Sequence, residues 1–185
     1  VDPRGPRQPL NAPEPWVVDA SVVLARLLRE ERPTWVDRYI DGVPEGGTHL
    51  FAPSLIWLEV GNRLARMQEM GDEFALDAML QTAALQIEEV AQDRPLRLRA
   101  LTLARAHGLS MYDATYLAAA EATGCRLLTL DARLDRAATS MGLGREEGPA
   151  QVSEPVATYG GRPVDTISMA FIGAALADMR REYSR

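Results

Sequence analysis

Four acidic residues, Asp19, Glu59, Asp113 and Asp131, sit where carboxylates could do chemistry. Asp19 closes the apolar run Trp16-Val17-Val18, and Asp131 follows Arg126-Leu127-Leu128-Thr129-Leu130. Glu59 lies just after Leu55 and Ile56 in an apolar helical segment, and Asp113 stands three residues beyond Ser110. Singly, each has an ordinary explanation. Asp19 and Asp131 could cap the helices that follow them. Glu59 precedes Arg63 at i+4, an order that suits an exposed ion pair of about 0.2–0.5 kcal/mol. Ser110-Met111-Tyr112-Asp113 reads as a capping box. Against the last, Tyr116, Leu117 and Ala120 share a helix face with Asp113, where an unpaired carboxylate is costly. Taken jointly, two acids end strands and two lie in the first turns of helices that a parallel sheet brings alongside. Carboxylates gathered closely raise each other's pKa values, so such a cluster at neutral pH calls for a cation. Oxygen ligands without histidine or thiolate suit Mg²⁺ or Mn²⁺. An ion held this way can orient a phosphodiester, acidify an attacking water and stabilise the leaving oxygen.

The elements that must position these acids follow from the hydrophobic pattern. Residues 16–18 read as a strand leading into a helix over 21–31, and a short amphipathic piece follows over 35–40. A second strand is expected over 49–52. Pro53 and Ser54 open a helix running to about Met70, with Gly71 as its stop. A helix over 74–85, a strand over 85–90 and a helix over 95–107 ending at Gly108 come next. An alanine-rich helix over 110–122 leads through Gly124 to a strand over 126–130 and a helix over 131–141. Alternating strands and helices imply an α/β/α fold in which helices flank a parallel sheet of four to five strands.

Beyond this core the pattern changes. Residues 1–15 hold five prolines and read as a tail unable to form an interior strand. The α/β core spans 16–143, residues 144–165 read as a linker, and 166–185 as an extra C-terminal helix. Met169, Ile172, Leu176, Met179 and Tyr183 form an apolar stripe on that helix, which needs something to pack on.

Composition narrows the chemistry further. With 185 residues, 46% of them hydrophobic, the chain can bury a full core without a metal or disulfide. The single Cys125 has no intrachain partner, and a reducing, cytoplasmic setting is expected. No apolar run approaches the ~20 residues of a membrane span, so a soluble protein is expected. A net charge of −6 argues against coating a duplex through bulk positive charge, so nucleic-acid contact must be local. All 20 basic residues are arginine, which leaves planar bidentate donors such as Arg26, Arg29, Arg63 and Arg66 for phosphate recognition. The missing lysine excludes Schiff-base and P-loop chemistry. It also disfavours a haloacid-dehalogenase-like phosphatase and a response-regulator receiver; the phosphatase would in addition need an acid where Ser21 stands. His49 and His107 read as structural, and Cys125 as inert.

Four blocks in order resemble the PIN-domain family, most closely VapC-type toxins of bacterial toxin–antitoxin pairs. They are Val17-Val18-Asp19-Ala20-Ser21, Pro53-Ser54-Leu55-Ile56-Trp57-Leu58-Glu59-Val60, Gly108-Leu109-Ser110-Met111-Tyr112-Asp113-Ala114 and Leu128-Thr129-Leu130-Asp131. The resemblance covers residues 16–142 and implies a PIN-like fold with a Mg²⁺- or Mn²⁺-dependent endoribonuclease activity on RNA. It further implies that Asp19, Glu59, Asp113 and Asp131 are metal ligands or water-binding acids, with Ser21 and Thr129 as supporting hydroxyls. A homodimer and a cognate antitoxin that plugs the acidic groove are the implied partners. The region after Gly142 departs from the family's compact pattern; it could replace a partner segment in cis, with Arg162 near the pocket. The competing reading is a non-catalytic PIN-like module that binds RNA or protein.

Overall fold

The computed structural model describes residues 14–28, 32–43 and 47–145. The expected linker beyond residue 145, the C-terminal helix over 166–185, Arg162 and all but the last two residues of the proline-rich tail lie outside that range. Four strands, β1 (Glu14–Val18), β2 (Thr48–Pro53), β3 (Glu88–Val90) and β4 (Arg126–Leu128), form one sheet in the order β3-β2-β1-β4. Every pairing is parallel. Helices α1 (Ala20–Leu27) and α2 (Thr34–Asp41) link β1 to β2, and α3 (Leu55–Ala65) and α4 (Gly71–Ala84) link β2 to β3. Helices α5 (Arg94–His107) and α6 (Met111–Thr123) carry the chain back across the sheet to β4, and α7 (Ala132–Ser140) follows. The chain thus walks outward from β1 to β3, then returns to add β4 on the other side of β1.

That reversal places the switch point between β1 and β4, and open parallel sheets hold their sites at the carboxyl edge of such a point. Right-handed crossovers put α1 to α4 on one face and α5 and α6 on the other. α6 packs on β1, β2 and β4, with α5 against it. Every residue from Ala114 to Ala120 is buried, because alanines let the helix approach both the sheet and α5. As α6 leads directly into β4, it runs antiparallel to the strands and delivers its first turn to the carboxyl edge. α1, α3 and α7 each start just after a strand and begin at that same edge.

Several boundaries differ from the sequence expectation. Pro15 lies inside β1, an interior strand, in register with His49. Pairing with β4 starts only at Trp16, so the missing N–H falls where the sheet is incomplete. β4 ends at Leu128 rather than at residue 130, because hydroxyls take the next amides. Leu130 N donates to Ser21 Oγ at 3.0 Å and Asp131 N to Thr129 Oγ1 at 3.0 Å. α3 stops at Ala65 rather than near Met70, where Arg66 N and Met67 N bond the carbonyls three residues back and tighten the last turn. Pro53 is the last residue of β2 and pairs with Val90; it does not open the helix.

Glycine ends α5 and α6 as expected. Gly108 (φ 64°) and Gly124 (φ 67°) adopt the left-handed conformation that closes a helix, and any other residue would be strained there. α5 starts from Asp93, whose side chain accepts from Leu96 N at 2.9 Å. Among the described residues no helix is long and apolar enough to cross a membrane.

Candidate active site

Asp19 is the centre of the carboxyl edge. Its backbone N donates to Leu128 O at 2.9 Å, which stitches the end of β1 to the end of β4. Its side chain is 8% exposed, and Oδ2 accepts from Ser21 Oγ at 2.6 Å and Thr129 Oγ1 at 2.7 Å. The two expected supporting hydroxyls are therefore both on this carboxylate. Asp19 occupies the N-cap position of α1 but makes no side-chain cap hydrogen bond; its carboxylate is taken up by the Ser21 and Thr129 hydroxyls.

Burial raises the Asp19 pKa, and the negative charge of Asp113 adds to it, while the Ser21 and Thr129 hydrogen bonds work the other way. Glu59, half-buried in the second turn of α3, is shifted upward too, first by burial and then by the charges of Asp19 and Asp113. Its Oε2 accepts from Tyr116 Oη at 2.5 Å, which favours the ionised form. Burial, Asp19 and Glu59 together push the Tyr116 phenol well above its ordinary value. Tyr116 is therefore a fixed proton donor, held one turn after Asp113 on the buried face of α6.

Asp113 is held by Ser110, the N-cap of its own helix. Ser110 Oγ accepts from Asp113 N at 3.1 Å, the first half of a capping box, and donates to Asp113 Oδ2 at 2.8 Å, so the carboxylate meets the Ser110 hydroxyl in place of its backbone N–H. That local role and the electrostatic one coexist, because the Asp113 charge acts on both Asp19 and Glu59. Asp131 is different. It is exposed, and its Oδ1 accepts from Arg133 N and Leu134 N at 2.8 Å each, so it is the N-cap of α7. Its link to the centre runs through Thr129, whose hydroxyl accepts from Asp131 N and donates to Asp19.

The fold thus gathers Asp19, Glu59 and Asp113 within electrostatic reach and sets Asp131 beside them. As the side chains stand, no three His, Cys, Asp or Glu groups among the described residues lie close enough to enclose an ion. Asp113 is turned to Ser110, Glu59 to Tyr116 and Asp131 to the α7 amides. The donor set is nevertheless all oxygen, and the charges that raise Asp19 and Glu59 are those of other carboxylates, which suits a hard divalent cation. Tyr116 was missed as a site residue in the sequence, where it counted only as packing. The signal available was its i+3 spacing from Asp113.

A doubly wound parallel sheet with carboxylates at its switch point defines the chain as an α/β protein with an acidic site at the strands' carboxyl edge. The PIN domain family model matches residues 16–139, and the chain belongs to that family. Ribonuclease VapC3 of Pyrobaculum aerophilum is 34% identical to it over 125 residues, covering 64% of this chain and 90% of the relative. A crystal structure of a protein from the same organism aligns with a TM-score of 0.49 and 27% identity, covering 67% of this chain and 86% of that one.

Proposed function

We propose that this chain is a Mg²⁺- or Mn²⁺-dependent endoribonuclease that hydrolyses RNA phosphodiester bonds as the toxin of a toxin–antitoxin pair. The observation that carries the reading is the convergence of Asp19, Glu59 and Asp113 at the switch point, close enough that the Asp113 charge acts on Asp19 and on Glu59 and the Asp19 charge acts on Glu59. The similarity to a protein named a ribonuclease gives the coupling its chemical direction. Asp19, Glu59 and Asp113 would hold the cation, with Asp131 contributing at the rim. Bound there, a divalent ion supplies a more acidic water and charge neutralisation for the leaving oxygen. The protein's own part is positioning. Ser21 and Thr129 fix the Asp19 carboxylate, Tyr116 fixes Glu59, and Ser110 fixes Asp113. The partner implied by the toxin reading is a cognate antitoxin that covers the acidic edge.

The second reading, a non-catalytic module that binds RNA or protein, is favoured by Asp131, which is committed to two helix amides. Incubating the full chain with single-stranded RNA and Mn²⁺, with EDTA and Asp113→Asn as controls, separates the two. The nuclease reading expects RNA cleavage that EDTA abolishes and that Asp113→Asn lowers by roughly 10³-fold, equivalent to about 4 kcal/mol at 1.36 kcal/mol per factor of ten. RNA bound but uncut by the unmodified chain supports the module instead.

A further inference from the structure

α7 and the end of α5 border an open cleft of about 420 Å³ lined by His107, Gly108, Arg133, Arg136, Ala137 and Ser140. Among the described residues no carboxylate lines it, in a chain that carries 26 acidic residues against 20 basic ones. Its described lining is therefore basic, in a chain whose net charge is negative. Arg133 and Arg136 stand three residues apart on one face of α7. Arg133 is anchored, its Nη1 donating to Gly108 O at 3.3 Å. Arg136 is exposed, and among the described residues it has no hydrogen-bond or ion-pair partner, so its guanidinium is available to a ligand.

The cleft opens next to the acids. Arg133 N is one of the two amides held by Asp131, and Gly108 lies two residues ahead of Ser110, which holds Asp113. Its size suits a nucleotide-sized group better than a lone ion. Two guanidiniums on one wall suit phosphate oxygens, which they can bind in bidentate fashion. By contrast Arg26, an expected phosphate contact, is occupied, with Nη2 on Asp41 Oδ1 at 3.0 Å and Nε 3.4 Å from Asp37 Oδ1.

We propose that this cleft is a phosphate-binding subsite for single-stranded RNA, in which Arg133 and Arg136 hold the backbone phosphate adjacent to the one that is cut. The proposal rests on the ribonuclease reading and deepens it by naming how the strand is registered against the acids. Phosphate contacts position a strand without reading its sequence, so this subsite sets affinity rather than base preference.

The test is binding of a fluorescein-labelled oligouridylate to the full chain in EDTA, read by anisotropy over a range of salt, alongside cleavage kinetics with Mn²⁺. Arg136→Gln lies on an exposed helix face and keeps the fold, which circular dichroism verifies. It is expected to weaken RNA binding roughly tenfold and to flatten the slope of log affinity against log salt by about 0.7, the value for one phosphate contact to a single strand. Arg136→Lys is expected to restore most of the slope. In cleavage, KM should rise with kcat within about twofold of the unmodified chain. Unchanged affinity and slope in Arg136→Gln overturn the subsite, and do so even when the unmodified chain cuts RNA normally. Arg136-dependent binding by a chain that cuts no RNA sustains the phosphate contact and overturns both the nuclease reading and the register against a cut phosphate. Failure of the unmodified chain to bind the oligonucleotide overturns the subsite, while Mn²⁺-dependent cleavage decides the nuclease reading separately.

Discussion

Asp19→Asn is expected to abolish RNA cleavage while making the metal-free protein more stable. The two effects share one cause. Asp19 is buried, and its environment raises its pKa through burial and the Asp113 charge more than two hydroxyl donors lower it. A carboxylate whose folded pKa lies above its unfolded value costs folding free energy when ionised. That cost is present at neutral pH and is recovered as pH falls through the folded pKa. Asparagine keeps the shape and an acceptor for Ser21 and Thr129 but carries no charge. Its removal also relieves Glu59, on which the Asp19 charge acts. At pH 7.5 in EDTA the variant should melt higher by a few degrees, with about 2–4 °C corresponding to 1 kcal/mol in a chain of this size. Cleavage in Mn²⁺ should fall by roughly 10³-fold or more. Differential scanning calorimetry at pH 5 and pH 7.5 checks the first part, and the gap between variant and unmodified chain should narrow at the lower pH. A variant that melts lower at both pH values, or retains cleavage, contradicts the account.

Trp16→Ala is expected to cost the fold about 3–5 kcal/mol, the range for losing a large buried aromatic. Trp16 lies in the interior strand β1, is 1% exposed, and meets the Tyr39 ring edge-on with centroids 4.8 Å apart. It is three residues from Asp19 on the same strand exit, so a cavity there loosens the element that aims the central carboxylate. The melting temperature should fall by roughly 6–20 °C. Trp16→Phe should cost much less. The indole Nε1 is buried without a hydrogen-bond partner among the described residues, so phenylalanine removes an unsatisfied donor while keeping an aromatic face. Urea unfolding of the two variants measures the difference. Equal losses would mean that the indole's outer ring, rather than its bulk against Tyr39, carries the packing.

Much of this architecture is legible along the chain because its signals are local. Val17-Val18 ahead of Asp19 marks a strand exit, Gly108 and Gly124 mark helix ends, and Ser110 three residues ahead of Asp113 marks a capping box. Each needs only neighbours in sequence. The contacts that bind the site together are not of that kind. Tyr116 and Glu59 are 57 residues apart, and Thr129 and Asp19 are 110 apart. No periodicity encodes such pairs, so Tyr116 passed as core packing. The same limit hid the early end of β4, where Ser21 supplies an acceptor from the first turn of α1, 109 residues away in sequence. Pro15 misled for a different reason. Proline is excluded from the middle of a sheet, but the second residue of β1 precedes the start of its pairing with β4. Asp131 shows that a residue can satisfy its ordinary reading, a helix cap, at the edge of an acidic centre.

The central claim is that acids distant in sequence share one divalent cation at the carboxyl edge. Titrating Mn²⁺ into the full chain, with free Mn²⁺ followed by electron paramagnetic resonance, tests it most directly. The prediction is saturable binding to the unmodified chain that weakens at least tenfold, about 1.4 kcal/mol, in both Asp19→Asn and Asp113→Asn. Mn²⁺ affinity that is the same in all three proteins would contradict it.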